Sequence, residues 1–225
     1  MIKKNIFSKI HNRKKKRRKI ITNFKISKIK KKDLASYNKF GKSYFDSKKI
    51  GIGYGEYIYD GRFVSSVKRI INFFKLKKNS KVLEIGCAKG FLLVEFFKLG
   101  MKTFGIDNSS YAKTNAHLLV KNNIKKFNIE KKFPFRNNFF DFVICKDVLP
   151  HITKNKLNLV IKEINRVVKT KSNIFIEIQS FKKKKDKFLF RNWDMTHKSC
   201  LNKTEWLKIL KNNNYKGYYN IKFLF

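Results

Sequence analysis

Apolar residues recur along this chain at two periods. Phe63, Val67, Ile70, Ile71 and Phe74 stand at offsets 0, 4, 7, 8 and 11. That spacing is one stripe of an amphipathic helix, with Asp60 upstream as its N-cap region. Short, nearly continuous apolar runs then alternate with helical stripes. The runs at 81–85, 103–106, 141–145 and 173–178 read as buried strands, 124–127 as a weaker one and 215–225 as an extended end. Between them, 91–99 reads as a helix ended by Gly100. Ala112, Ala116, Leu119 and Val120 mark another after Asn108, Ser109 and Ser110. Leu157, Val160, Ile161, Ile164, Val167 and Val168 form a clear stripe, and Trp206, Ile209 and Leu210 fit a helix capped by Thr204. Alternation of this kind predicts an α/β fold, a mostly parallel sheet with helices on both faces.

Two segments precede that pattern. Residues 33–61 are polar and aromatic and end in a run holding Gly51, Gly53, Gly55 and Gly61 among tyrosines. Glycines break regular structure while tyrosines favour burial, so the segment reads as a lead-in lying over something. Residues 1–32 hold 15 Lys or Arg and no acid. Such a block repels itself and reads as a mobile basic arm, either a tether to RNA or anionic lipid or a solvated tail. The expected organisation is therefore arm 1–32, lead-in 33–61 and one domain over 62–225.

Composition qualifies the charge. The formal net charge is +40, from 55 Lys+Arg against 15 Asp+Glu, yet only eight of the basic residues are arginine. Selection for phosphate or base recognition favours the planar arginine fork. Lys, Asn, Ile and Phe share A/T-rich codons, and codon drift accounts for the global charge better. Three cysteines exclude a disulfide scaffold, and Cys87, Cys145 and Cys200 lack metal-ligand spacing. No apolar run approaches membrane-spanning length, and the basic start is not followed by a signal-peptide core. The expectation is a soluble, cytoplasmic protein without a transmembrane segment.

The chemistry concentrates in 81–147. The first strand ends Glu84-Ile85-Gly86-Cys87-Ala88-Lys89-Gly90, and glycines at a strand-to-helix turn let a ligand approach the backbone. The Gly-Lys-Ser/Thr ending of a phosphate-binding loop is absent, and Gly86 and Gly90 are four apart, unlike the dinucleotide fingerprint. Asp107 ends the second strand, 23 positions after Glu84. An acid there can accept from two vicinal ribose hydroxyls.

In these residues, and in 140–145, the chain resembles the class I S-adenosylmethionine-dependent methyltransferases, of the type-11-like group. The likeness spans about 62–178. It implies a Rossmann-like sheet of six or seven strands and S-adenosylmethionine as cofactor. Gly86, Cys87, Ala88 and Gly90 would surround its methionine part, Glu84 would orient the turn, and Asp107 would hold the ribose. Ala88 replaces the middle glycine of the family pattern. Asn128 stands where an acid often receives the adenine amino group, and Ile129 would pack on the adenine face.

The fourth strand ends Lys146-Asp147-Val148-Leu149-Pro150-His151, beside the transferable methyl by the same resemblance. Asp147 and His151 are the candidate catalytic pair, His151 as base and Asp147 orienting it or the acceptor. Trp193-Asp194-Met195-Thr196-His197 reads either as an acceptor-facing lid or as a tethered loop. No carboxylate cluster suggests a catalytic metal. The reading is a methyltransferase for a small-molecule or sugar-containing acceptor. Its rivals are an RNA methyltransferase using the basic arm and a basic binding module with a vestigial cofactor site.

Overall fold

The computed structural model describes residues 1–7, 14–23 and 26–225. In chain order, β1 (Ile2–Lys3), α1 (Lys14–Asn23), α2 (Lys31–Asn38) and α3 (Lys42–Phe45) lead into α4 (Val64–Phe74). The alternating part follows as β2 (Lys81–Ile85), α5 (Phe91–Lys98), β3 (Lys102–Asp107), α6 (Ser110–Thr114), β4 (Ile124–Lys126), β5 (Phe142–Lys146), α7 (Leu157–Val167) and β6 (Ile174–Ser180). It closes with α8 (Lys187–Trp193), α9 (Lys203–Asn212) and β7 (Tyr218–Phe223).

The described strands form one seven-stranded sheet in the order β1-β7-β6-β5-β2-β3-β4, every pairing parallel. The chain steps from β2 outward to β3 and β4, then returns to β5 on the other side. This reversal opens a crevice at the carboxyl ends of β2 and β5, where such sheets bind ligands. Register puts alternate residues on opposite faces. Phe142 and Ile144 pack with Val67, Ile70 and Phe74 of α4 and Leu92 and Phe96 of α5. Val143 and Cys145 pack with Leu157, Val160, Ile161 and Ile164 of α7 and Trp206 and Leu210 of α9. Both faces of β5 are thus dry, which is why its sequence lacks polar alternation.

Several local expectations shift. The stripe after Ser109 gives only the five-residue α6, which Ser109 caps through the Ala112 amide; Lys121–Asn123 then turns as 3-10 helix into β4. α9 is capped by Asn202 in a reciprocal box with Glu205, in place of Thr204. Asp60 pairs with Arg62 at 2.7 Å and leaves α4 to start at Val64.

The expected division at residue 32 does not describe the N-terminal segments. Ile2–Lys3 add to the sheet edge beside Tyr218–Tyr219. Ile6 and Phe7 are buried against α4 and β6, and the Ile6 carbonyl accepts from Arg69 at 2.9 Å. α1 lies on α8 through Ile21 and an Arg18–Asp186 ion pair at 2.8 Å. The charge count hid a few apolar residues and a buried acid that anchor these pieces. Residues 8–13 and 24–25 of the basic block lie outside the described residues.

Candidate functional site

The turn after β2 owes its shape to left-handed backbone: φ is +66° at Gly86, +48° at Ala88 and +76° at Gly90. A Cβ at Gly86 would sit 2.3 Å from Val148 Cγ2, so only glycine lets the turn pass under the segment after β5. At Gly90 a Cβ would meet Ile124 Cδ1 at 2.7 Å and Val120 Cγ2 at 2.8 Å. Gly90 therefore serves the close approach of α5 to β4, and its place in the expected cofactor set is indirect.

Asp107, at the tip of β3, holds this turn. One carboxylate oxygen accepts from the Ala88 amide at 2.7 Å, the other from the Ser109 amide at 2.8 Å. Burial pushes its pKa up, and those two amides work against the shift. Each oxygen keeps a second lone pair for a ligand.

Two cavities meet at the turn. The smaller, about 130 Å³, is lined by Asp107, Asn128, Ile129, Val148, Gly86 and Ala88. Asn128 contributes less freely than expected, because its side-chain oxygen already accepts from the Glu130 amide at 2.9 Å. Ile129 is buried against the core. The larger cavity, about 400 Å³, takes in Glu84, Cys87, Lys146, Asp147 and Asp194, with Tyr54, Tyr57, Phe63 and Trp193 as aromatic wall. Gly86, Ala88, Asp147 and His151 belong to both. The structure thus brings together nine of the ten expected site residues and leaves out Gly90.

Charges in the larger cavity are unevenly matched. Glu84 is buried, and among the described residues its Oε2 has no hydrogen-bond partner. Burial raises its pKa well above the ordinary carboxylate value, with Lys146 opposing and Asp107 reinforcing. Asp147 lies in the left-handed region, φ +60°, and pairs with Lys146 and with Lys222 at 2.7 Å. Burial acts to raise its pKa, but the two lysines hold it well below the ordinary range. Burial alone would lower Lys146, yet Asp147 and Glu177 raise it. Among the described residues, Asp147 Oδ1 is left without a partner.

His151 ends a 3-10 turn, Leu149–His151. Its orienting partner is not Asp147, for among the described residues no hydrogen bond joins them. Instead His151 Nδ1 lies 2.8 Å from Thr196 Oγ1, which donates to Asp194 Oδ1 at 2.6 Å. Asp194 also accepts from Tyr37 OH at 3.2 Å and Tyr44 OH at 2.9 Å. His197 stacks on Phe190, and its ring centroid is 4.9 Å from that of His151. Burial lowers its pKa to about 4, Asp194 opposing.

The lead-in lies over the turn, and what sequence reasoning missed is the contact that holds it there. Residues 37–59 bring Tyr37, Tyr44, Phe45 and Tyr57 into one buried cluster with Ala88 and Phe91 of the turn. Lys89 Nζ clamps it, donating to both Asp46 oxygens at 2.5–2.7 Å and to the Tyr57 carbonyl at 2.9 Å. The signal available was a lysine inside a turn of small residues. Glu177 within the apolar run of β6 likewise marks a buried charge, and it faces Lys146 and Lys222 at 3.4 Å.

Sheet order puts the crevice and its acids at the carboxyl ends of the strands, where open parallel α/β sheets bind their ligands. Residues 83–176 match the model of a family described as a methyltransferase domain. That match covers less than half of the chain, and over it the chain is similar to methyltransferase domains. An uncharacterized protein of Methanocaldococcus jannaschii is 27% identical over 142 residues, 62% of this chain and 58% of that protein. The ubiquinone biosynthesis O-methyltransferase of Pelagibacter ubique is 29% identical over 118 residues, 48% of each chain. This chain thus spans about half the length of both. The crystal structure of an S-adenosylmethionine-dependent methyltransferase from Archaeoglobus fulgidus superposes with a TM-score of 0.55 at 20% identity, over 82% of this chain and 74% of that one. Among the described residues, no helix is long and apolar enough to cross a membrane.

Proposed function

We propose that this chain methylates a small-molecule acceptor bound in the larger cavity. The observation that carries the reading is the unpartnered, buried Glu84 Oε2 beside the Gly86–Ala88 turn where the two cavities meet. A buried carboxylate oxygen without a donor suits a cationic ligand group. Glu84 would take the cofactor's ammonium, Asp107 its ribose hydroxyls, and Asn128 and Ile129 its adenine. When bound, S-adenosylmethionine supplies a methyl group on a sulfonium, whose departure needs little acid or metal assistance.

The chain's own residues then align and deprotonate. His151 faces both cavities. Its Nδ1–H donates to Thr196 Oγ1, so Nε2 carries a lone pair that can receive the acceptor's proton. Asp194 stabilises the resulting imidazolium through Thr196. The aromatic cover and the Lys89–Asp46 clamp exclude water.

A cavity of about 400 Å³ under an aromatic cover favours a small acceptor over a polymer. Methyl-labelled cofactor incubated with the protein and size-separated extract should label the low-molecular-weight fraction. His151→Ala should lower that transfer about 10²–10⁴-fold with cofactor-product affinity unchanged. Label confined to RNA would overturn the acceptor assignment.

A further inference from the structure

Asp194, His151 and His197 each offer one ligand-type atom, and these three atoms lie within 4.8 Å of one another. We propose that they form a site for one divalent first-row transition-metal ion of the zinc type, in the wall of the larger cavity.

The hydrogen bonds fix both tautomers. His197 Nδ1 lies 3.3 Å from the Phe190 carbonyl, which only accepts, so Nδ1 carries the proton. Its Nε2 is then a bare lone pair, buried and, among the described residues, without a partner, on a residue only 7% exposed. Thr196 commits its single hydroxyl proton to Asp194, so His151 Nδ1 must donate to Thr196. His151 Nε2 is therefore a lone pair as well. Two imidazoles held by second-shell acceptors, each presenting Nε2, are the arrangement that metal-ligating histidines adopt. Asp194 completes the set. Three donors converge on its Oδ1, whereas Oδ2 receives only Tyr44 OH and keeps a lone pair.

The donor set selects the ion. Two neutral nitrogens and one carboxylate suit zinc, cobalt or nickel better than calcium or magnesium, which take oxygen shells. A tetrahedral ion about 2.1 Å from its ligands sets them about 3.4 Å apart, so loading draws the three side chains together. His151 and Asp194 line the cavity, so an ion held by them would stand in its wall. What the ion does there rests on the reading of that cavity as the acceptor site; that it binds does not. Loading occupies the His151 lone pair that otherwise receives the acceptor's proton, and the ion takes over that role: an acceptor hydroxyl bound to it releases its proton to water more readily. Its oxygen then bonds to the methyl carbon as the carbon–sulfur bond breaks, the electron pair leaving on sulfur.

The test uses the full chain, stripped with chelator and titrated with cobalt(II), followed by visible absorption and by zinc competition. One equivalent should bind with the intense bands of a low-coordinate site. His197→Gln and Asp194→Asn should each weaken binding more than about 100-fold, beyond the loss typical of a second-shell partner. His11→Ala and His117→Ala should leave it unchanged. Far-UV circular dichroism reports folding of each variant, and calorimetry with S-adenosylhomocysteine separately tests the cofactor reading. If Asp194→Asn unfolds, His197→Gln alone decides. Absence of a stoichiometric site in the wild type, or full binding by folded His197→Gln, would overturn the assignment.

Discussion

Glu84 shows how one buried oxygen defines a site. Its carboxyl is held above the ordinary value of 4.5 by burial, so the ligand-free fold keeps it protonated beyond the usual range. That contribution to stability is complete below the unfolded value and is lost as pH rises through the raised folded one. A bound ammonium reverses the preference and favours the anion. Binding of S-adenosylhomocysteine at mildly acidic pH is therefore expected to release a proton, making the calorimetric heat depend on the buffer's ionisation enthalpy. Glu84→Gln should remove that dependence and weaken binding about 10–100-fold. Equal heats in all buffers would show that Glu84 is ionised before the ligand arrives. Glu84 and Asp107 were legible in the sequence because strand, turn and acid follow in a fixed order. The Asp194–Thr196–His151 relay was legible only as residues, since 43 positions separate Asp194 from His151 and no local pattern joins them.

At the scale of elements, periodicity located every strand of the alternating part to within a few residues, because both faces of the sheet are dry and the runs are apolar. It failed where charge dominates. β1 is two residues long, and the apolar pair Ile6 and Phe7 that follows it stands in a lysine-rich segment. Phe7 nonetheless packs against Phe63 and Phe175 at ring-centroid distances of 6.3 and 5.9 Å. Deleting residues 1–7 removes about 3–6 kcal/mol of apolar burial, partly offset by the ordering entropy of the residues lost. It also bares the β7 edge. The melting temperature should fall by several degrees, as read by circular dichroism. An unchanged melting temperature would mean that the segment contributes nothing to the fold.

For the whole molecule, the net charge of +40 sits on a scaffold in which the lysines around the site are paired with acids. Lys146 and Lys222 answer Asp147 and Glu177, and Lys89 answers Asp46. The sequence's positive excess thus says little about what the crevice selects. On the proposed reading recognition there rests on a few acids at strand tips under an aromatic cover, and the central claim is that these hold S-adenosylmethionine. Calorimetry of S-adenosylhomocysteine with the wild type and with Asp107→Ala tests it most directly. One site per chain is expected, weakened about 10–100-fold in the variant, whose lost carboxylate bonds are worth about 1.5–3 kcal/mol. A folded wild type that binds no S-adenosylhomocysteine, or a folded Asp107→Ala that binds it as tightly, would contradict the account.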